Sequence, residues 1–135
     1  MSIFPGVSKE QLASVDIFEG LDDEALETIA GRAIAIGAHP GIKLVHQGDS
    51  GFDFFMILSG TADVRSGDET IATLGPGDVF GEMALLGGRK RSADVVATSV
   101  MYLVTMMVWD FRATLDEYPE VGHRLRMLAE ERGES

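Results

Sequence analysis

Phe80-Gly81-Glu82-Met83-Ala84-Leu85-Leu86-Gly87-Gly88-Arg89-Lys90-Arg91-Ser92-Ala93 is where the chain stops reading as plain β structure. Gly81 followed by Glu-Met-Ala-Leu-Leu can form one helical turn whose free N–H groups point into the concavity of the loop, and such a terminus favours an anion. Gly81 lacks a Cβ, so a ligand can approach its backbone closely. Arg91, ten positions downstream, can return to the same hollow and grip two phosphate oxygens with its planar fork. Ser92 and the Ala93 amide add donors. Glu82 would repel a bare phosphate, so its presence asks for a ligand that also offers hydroxyl donors, as a ribose does. A Lys-bearing phosphate loop of the triphosphate type is missing. The expected ligand is therefore a small nucleotide with a single charge.

Working outward, short β-type runs lie on both sides of this stretch. Ile42–Val45, Phe54–Leu58, Thr61–Val64 and Thr70–Leu74 precede it, and Ala93–Ala97 and Val100–Met106 follow it. Ser66-Gly67-Asp68 suits a hairpin tip, and Gly75-Pro76-Gly77-Asp78 suits a turn in which Pro sets one φ and the glycines permit positive ones. Strands of this length and spacing imply a barrel or jelly roll.

The two ends read as helix. Leu21, Ala25, Leu26, Ile29, Ala30 and Ala33 recur at helical spacing, and Asp22, Asp23 and Glu24 complement the positive end of the helix dipole. Trp109 and Leu115 mark a short helix that stops before Pro119. Beyond it Val121, Leu125, Leu128 and Ala129 form one apolar stripe that ends near Gly133. Trp109 is expected to pack these helices against the barrel, and Met101, Met106 and Met107 to fill core gaps.

Composition limits the function. The 135 residues carry a net charge of −11, which disfavours a nucleic-acid backbone or an anionic membrane as partner. Without cysteine there is no disulfide scaffold, thiolate metal site or cysteine nucleophile. His39, His46 and His123 are too scattered for a metal triad, so a cupin-like metalloenzyme lacks its ligands. Ser59-Gly60 lacks the frame of a nucleophile elbow. The Met1–Gly6 start has no signal-peptide pattern, and no run is long enough to span a bilayer, so a cytoplasmic location is expected.

The stretch Phe80-Gly81-Glu82-Met83-Ala84-Leu85 with Arg91-Ser92-Ala93 resembles the phosphate-binding cassette of the cyclic nucleotide-binding domain family. Ile17-Phe18-x-Gly20-Leu21, His46-Gln47-Gly48-Asp49, Phe55-Met56-Ile57-Leu58-Ser59-Gly60 and Leu74-Gly75-Pro76-Gly77-Asp78-Val79 agree with it, over roughly residues 12 to 130. The resemblance implies an antiparallel eight-stranded β-roll flanked by helices. Residues 1–135 would form a single domain, with a helical part over 8–35, the roll over 36–106 and closing helices over 107–132.

It also implies roles. Gly81 opens the cassette, Arg91 pairs with the cyclic phosphate, Glu82 accepts from the ribose 2′-hydroxyl, and the amides of Met83, Ala84 and Ala93 line the site. Ser92 sits where purine preference is often set, compatible with cAMP and not excluding cGMP. Val64, Ile71 and Ala72 match positions that pack against the base, and Arg126 matches the place of a lid. Taken singly, Arg91 or Arg126 would be a solvated surface charge and Glu82 a cap. Set at family spacing, they imply a non-catalytic sensor without a cofactor, acting on a separate effector protein or a second copy of itself. The alternative is a β-roll interaction module that does not bind nucleotide.

Overall fold

The computed structural model describes residues 2–4, 6–48, 54–81 and 93–131. Helices come first. Ser8 opens α1 (Lys9–Ala13) with a capping box, its hydroxyl accepting from the Gln11 N–H while the Gln11 side chain accepts from the Ser8 N–H. A 3-10 helix follows (Asp16–Phe18), then α2 (Asp23–Ala30), capped by the Asp22 carboxylate on the Ala25 N–H at 2.8 Å.

Helical spacing predicts that α2 runs through Ala33, but the helix ends at Ala30, and Ala33 begins strand β2 (Ala33–Ala38). Gly31 and Arg32 form the turn between them. From there Ile34 and Ile36 alternate at period two, and pairing of all six residues with β9 overrides the weak helical signal of an alanine. The helical part therefore stops short of 35, and the roll starts before 36.

The remaining strands are β1 (Ser2–Phe4), β3 (Lys43–Val45), β4 (Phe55–Ser59), β5 (Ala62–Ser66), β6 (Glu69–Leu74), β7 (Val79–Phe80), β8 (Asp94–Ala97) and β9 (Met101–Met106). They form a five-stranded sheet, β1-β2-β9-β4-β7, and a four-stranded sheet, β3-β8-β5-β6, with every pairing antiparallel. Strands β2 to β9 are the eight of the roll, four in each sheet. The added strand β1 and the two-residue β7 carry no sequence signal of their own. Gly67-Asp68 closes the β5–β6 hairpin, with Ser66 opposite Glu69.

Two buried clusters share the five-stranded sheet. Phe54, Met56, Val79, Val104 and Met106 face the helices, joining Leu12, Ile17, Phe18, Leu26, Ile29, Phe111, Val121 and Leu125. Phe55, Ile57, Phe80, Met101 and Leu103 face the roll interior, joining Leu44, Ala62, Leu74 and Val95 from the other sheet.

The closing helices are α3 (Val108–Glu117) and α4 (Pro119–Glu131). The ring that docks α3 is Phe111, whose centroid lies 4.2 Å from that of Phe54. Trp109 is 62% exposed, because two positions along a helix is more than half a turn and places it on the other side from Phe111. Met107 is also exposed, while Met101 and Met106 are core residues. Arg32 reaches over from the α2–β2 turn, donating to Thr114 Oγ1 at 3.1 Å and pairing with Glu117.

Candidate functional site

The approach to the candidate site is built from a turn that has no slack. In Gly75-Pro76-Gly77-Asp78, the Asp78 carboxylate accepts from the Gly75 N–H at 2.8 Å, and the Asp78 N–H donates to the Gly75 carbonyl at 3.1 Å. Gly77 has φ of +91°, and a Cβ there would stand 2.8 Å from Asp16 Oδ1 and 3.2 Å from the Ser14 carbonyl. Only glycine fits both the backbone and the space. The Gly77 N–H donates to the Ile57 carbonyl at 2.8 Å, and its own carbonyl accepts from the Asp16 N–H at 3.1 Å. This turn is thus held between β4 and the 3-10 helix.

Strand β7 then divides its two residues between the clusters. Val79 faces the helices, and Phe80 enters the roll to stack on Phe55 with centroids 5.2 Å apart. Gly81 follows with φ of +85°, turning the chain out of the sheet in a conformation that L side chains disfavour. Glu82, Met83, Ala84, Arg91 and Ser92 lie outside the described residues. The chain is described again from Ala93, which is 8% exposed and leads into β8. Residues 82–92 therefore connect an edge strand of one sheet to an inner strand of the other.

Three of the expected residues share one face of the four-stranded sheet. Val64 is paired with Ala72 on one side and Val95 on the other. Val64 packs against the interior cluster that contains Val95. Ala93, two residues before Val95, lies on the same inward face by strand alternation. Next to Ala72 the register shifts, since Val64 pairs with Ala72 but Arg65 with Thr70. Ile71 is the extra residue of this bulge and is 56% exposed. A bulge re-aims side chains, and here it presents an apolar one.

Arg126 is not brought to this group. It is exposed on α4, whose buried residues Val121 and Leu125 join the cluster on the helix side of the five-stranded sheet. Ala129 has no described side chain, and Leu128 is half-buried there.

A polar cluster that has no sequence signal lies on the opposite, outward face of the same sheet. The Asp94 carboxylate accepts from the Gln47 N–H at 2.6 Å and pairs with the Lys43 ammonium at 3.3 Å. The Gln47 hydrogen bond holds this carboxyl below its ordinary range; desolvation opposes it, and Lys43 adds a smaller lowering pull. Nothing local could announce a contact between residues 47 positions apart. Among the described residues no group of three or more His, Asp or Glu is placed to hold a metal ion. No helix among them is long and apolar enough to cross a membrane.

Comparison with known proteins adds the family context. The family model described as "Cyclic nucleotide-binding domain" matches residues 38–118. A cAMP-dependent protein kinase regulatory subunit of Hypocrea atroviridis is 35% identical over 94 residues, 70% of this chain and 20% of that protein. A cyclic nucleotide-gated potassium channel of Rhizobium etli is 34% identical over 122 residues, 90% of this chain and 34% of that one. The chain thus spans about a fifth of the first relative and about a third of the second. Among solved structures, the Thermus thermophilus catabolite activator protein superposes with a TM-score of 0.78 at 31% identity, covering 87% of this chain and 57% of that one.

Proposed function

Because the chain belongs to the cyclic nucleotide-binding domain family, we propose that residues 1–135 act as one sensor domain for a purine 3′,5′-cyclic monophosphate, cAMP before cGMP. In this reading the Arg91 guanidinium binds the phosphate oxygens, a charge-assisted two-point contact that an ammonium could not reproduce. The amides of Met83, Ala84 and Ala93 complete the phosphate shell, with Gly81 leaving room for it. Glu82 accepts from the ribose 2′-hydroxyl. The base rests on Val64, Ile71 and Ala72, and Ser92 stands beside it to bias the purine.

The chemistry is recognition, without a bond made or broken. Nucleotide binding draws the cassette together between the two sheets, the roll passes the shift to α3 and α4, and Arg126 closes over the base as α4 moves. The ligand biases this equilibrium only by its differential affinity for the closed arrangement. The moved helices address a separate effector protein or a second copy of the chain.

What supports the reading is the family match, whose span over residues 38–118 includes the stretch of sequence that carries Glu82, Arg91, Ser92 and Ala93. Calorimetric titration with cAMP and cGMP, alongside thermal unfolding, tests it. At 100 times its Kd the ligand adds roughly 2.7 kcal/mol to stability. A chain whose unfolding moves with neither nucleotide is instead a β-roll interaction module.

A further inference from the structure

Asp94 is the first residue of β8 and Ala93 the last before it, so what holds the start of β8 also restrains Ala93. The Asp94 carboxylate lies on the outward face, opposite Arg65 in register, while Arg65 itself leans toward Asp63 at 3.6 Å. Among the described residues the Asp94 carboxylate meets the Gln47 backbone N–H and the Lys43 ammonium. Gln47 then reaches on, its side-chain oxygen accepting from the Gly67 N–H at 3.3 Å at the tip of the β5–β6 hairpin. One carboxylate therefore ties together β3, the turn after it and, through Gln47, the hairpin that carries Ile71 and Ala72.

We infer that Asp94 is a positioning residue for the nucleotide site, holding the Ala93 amide and the β5–β6 hairpin in the geometry that the ligand meets. The inference rests on the cyclic nucleotide reading above. A strand end at a solvent-facing junction frays unless side chains hold it, and a backbone donor is effective only if it is fixed before the anion arrives. A 2.6 Å bond from an amide to a carboxylate is short and charge-assisted, which suits that task. The carboxylate faces away from the roll interior, so its removal leaves the core intact and changes the site selectively.

The test is cAMP titration of the full chain and two variants, with the ligand-free thermal midpoint measured for each. Asp94→Ala removes both contacts and raises Kd about tenfold. Asp94→Asn keeps an oxygen for the Gln47 N–H but loses the charge pair with Lys43, so affinity returns only part of the way and Kd stays about threefold above that of the parent. Both variants keep a ligand-free midpoint within about 3 °C of the parent. An Asp94→Ala chain that folds and binds cAMP as tightly as the parent overturns the inference and leaves the sensor reading standing. If that variant does not fold, an Asp94→Asn chain with parental Kd overturns it in the same way. A parent chain that binds neither cAMP nor cGMP overturns both.

Discussion

Phe54, Phe55, Met56 and Ile57 in and beside β4 are all at most 3% exposed, whereas Asp63, Val64 and Arg65 in β5 are half-buried one after another. The five-stranded sheet has helices on one side and the roll interior on the other, so the faces it covers must be apolar, and β4 reads as an unbroken hydrophobic run from Phe55 to Leu58. The four-stranded sheet covers the interior with one face only and leaves polar residues outside, among them Asp94 and Asp63. One sheet therefore holds the fold and joins it to the helices. The other, with less of the core resting on it, is free to present a surface such as Val64, Ala72 and Ala93.

Substitutions that respect this division test it. The largest effect is expected for Phe54→Ala, which empties the contact with Phe111 and should cost about 3–5 kcal/mol in denaturant unfolding. A loss below 1 kcal/mol would mean that the helices are not held by that sheet. Next is Arg91→Ala, which should weaken cAMP binding by roughly 2–5 kcal/mol, about 30-fold or more, with unfolding of the free protein unaltered. Parental affinity in a calorimetric titration would remove Arg91 from the site. That affinity should also change little with added salt, because a local contact decides it.

A smaller effect separates the sheets further. Ile71→Ser, on the bulge of the exposed edge strand β6, should change stability by no more than about 0.5 kcal/mol while reducing cAMP affinity a few-fold. Equal losses in both would place Ile71 in the core instead. The smallest effect belongs to Lys9, whose ammonium is 3.2 Å from Glu27 and 3.4 Å from Asp23. The Glu27 hydrogen bond, with Asp23 beside it, raises its pKa above the ordinary 10.5. Its contribution is therefore complete below 10.5 and lost as pH rises through the higher folded-state value. Lys9→Met should lower the thermal midpoint by about a degree or less at neutral pH, and the difference should vanish in strong alkali.

The residues that the sequence misplaced share a cause. Ala33 obeys helical spacing as well as strand alternation, and only its pairing opposite Met106 resolves the choice. Trp109 is the larger ring, yet Phe111 has the helix face that meets Phe54, and a large aromatic by itself does not say which way it points. Asp94 looks like any acidic residue near a strand until Gln47, 47 positions upstream, and Lys43 are brought to it by the fold.

By itself the sequence determined the β-roll class, the turns at Gly67-Asp68 and Gly75–Asp78, the closing helices either side of Pro119, and the family to which 80–93 points. These are encoded in short spans, where side-chain period, glycine conformation and motif spacing act on near neighbours. Tertiary structure alone decided which sheet would be covered on both faces, which aromatic docks α3, where the α2 helix yields to β2, and what grips Asp94. Each of those depends on surfaces brought together from distant parts of the chain, and packing, unlike local pattern, exists only once the chain has closed on itself.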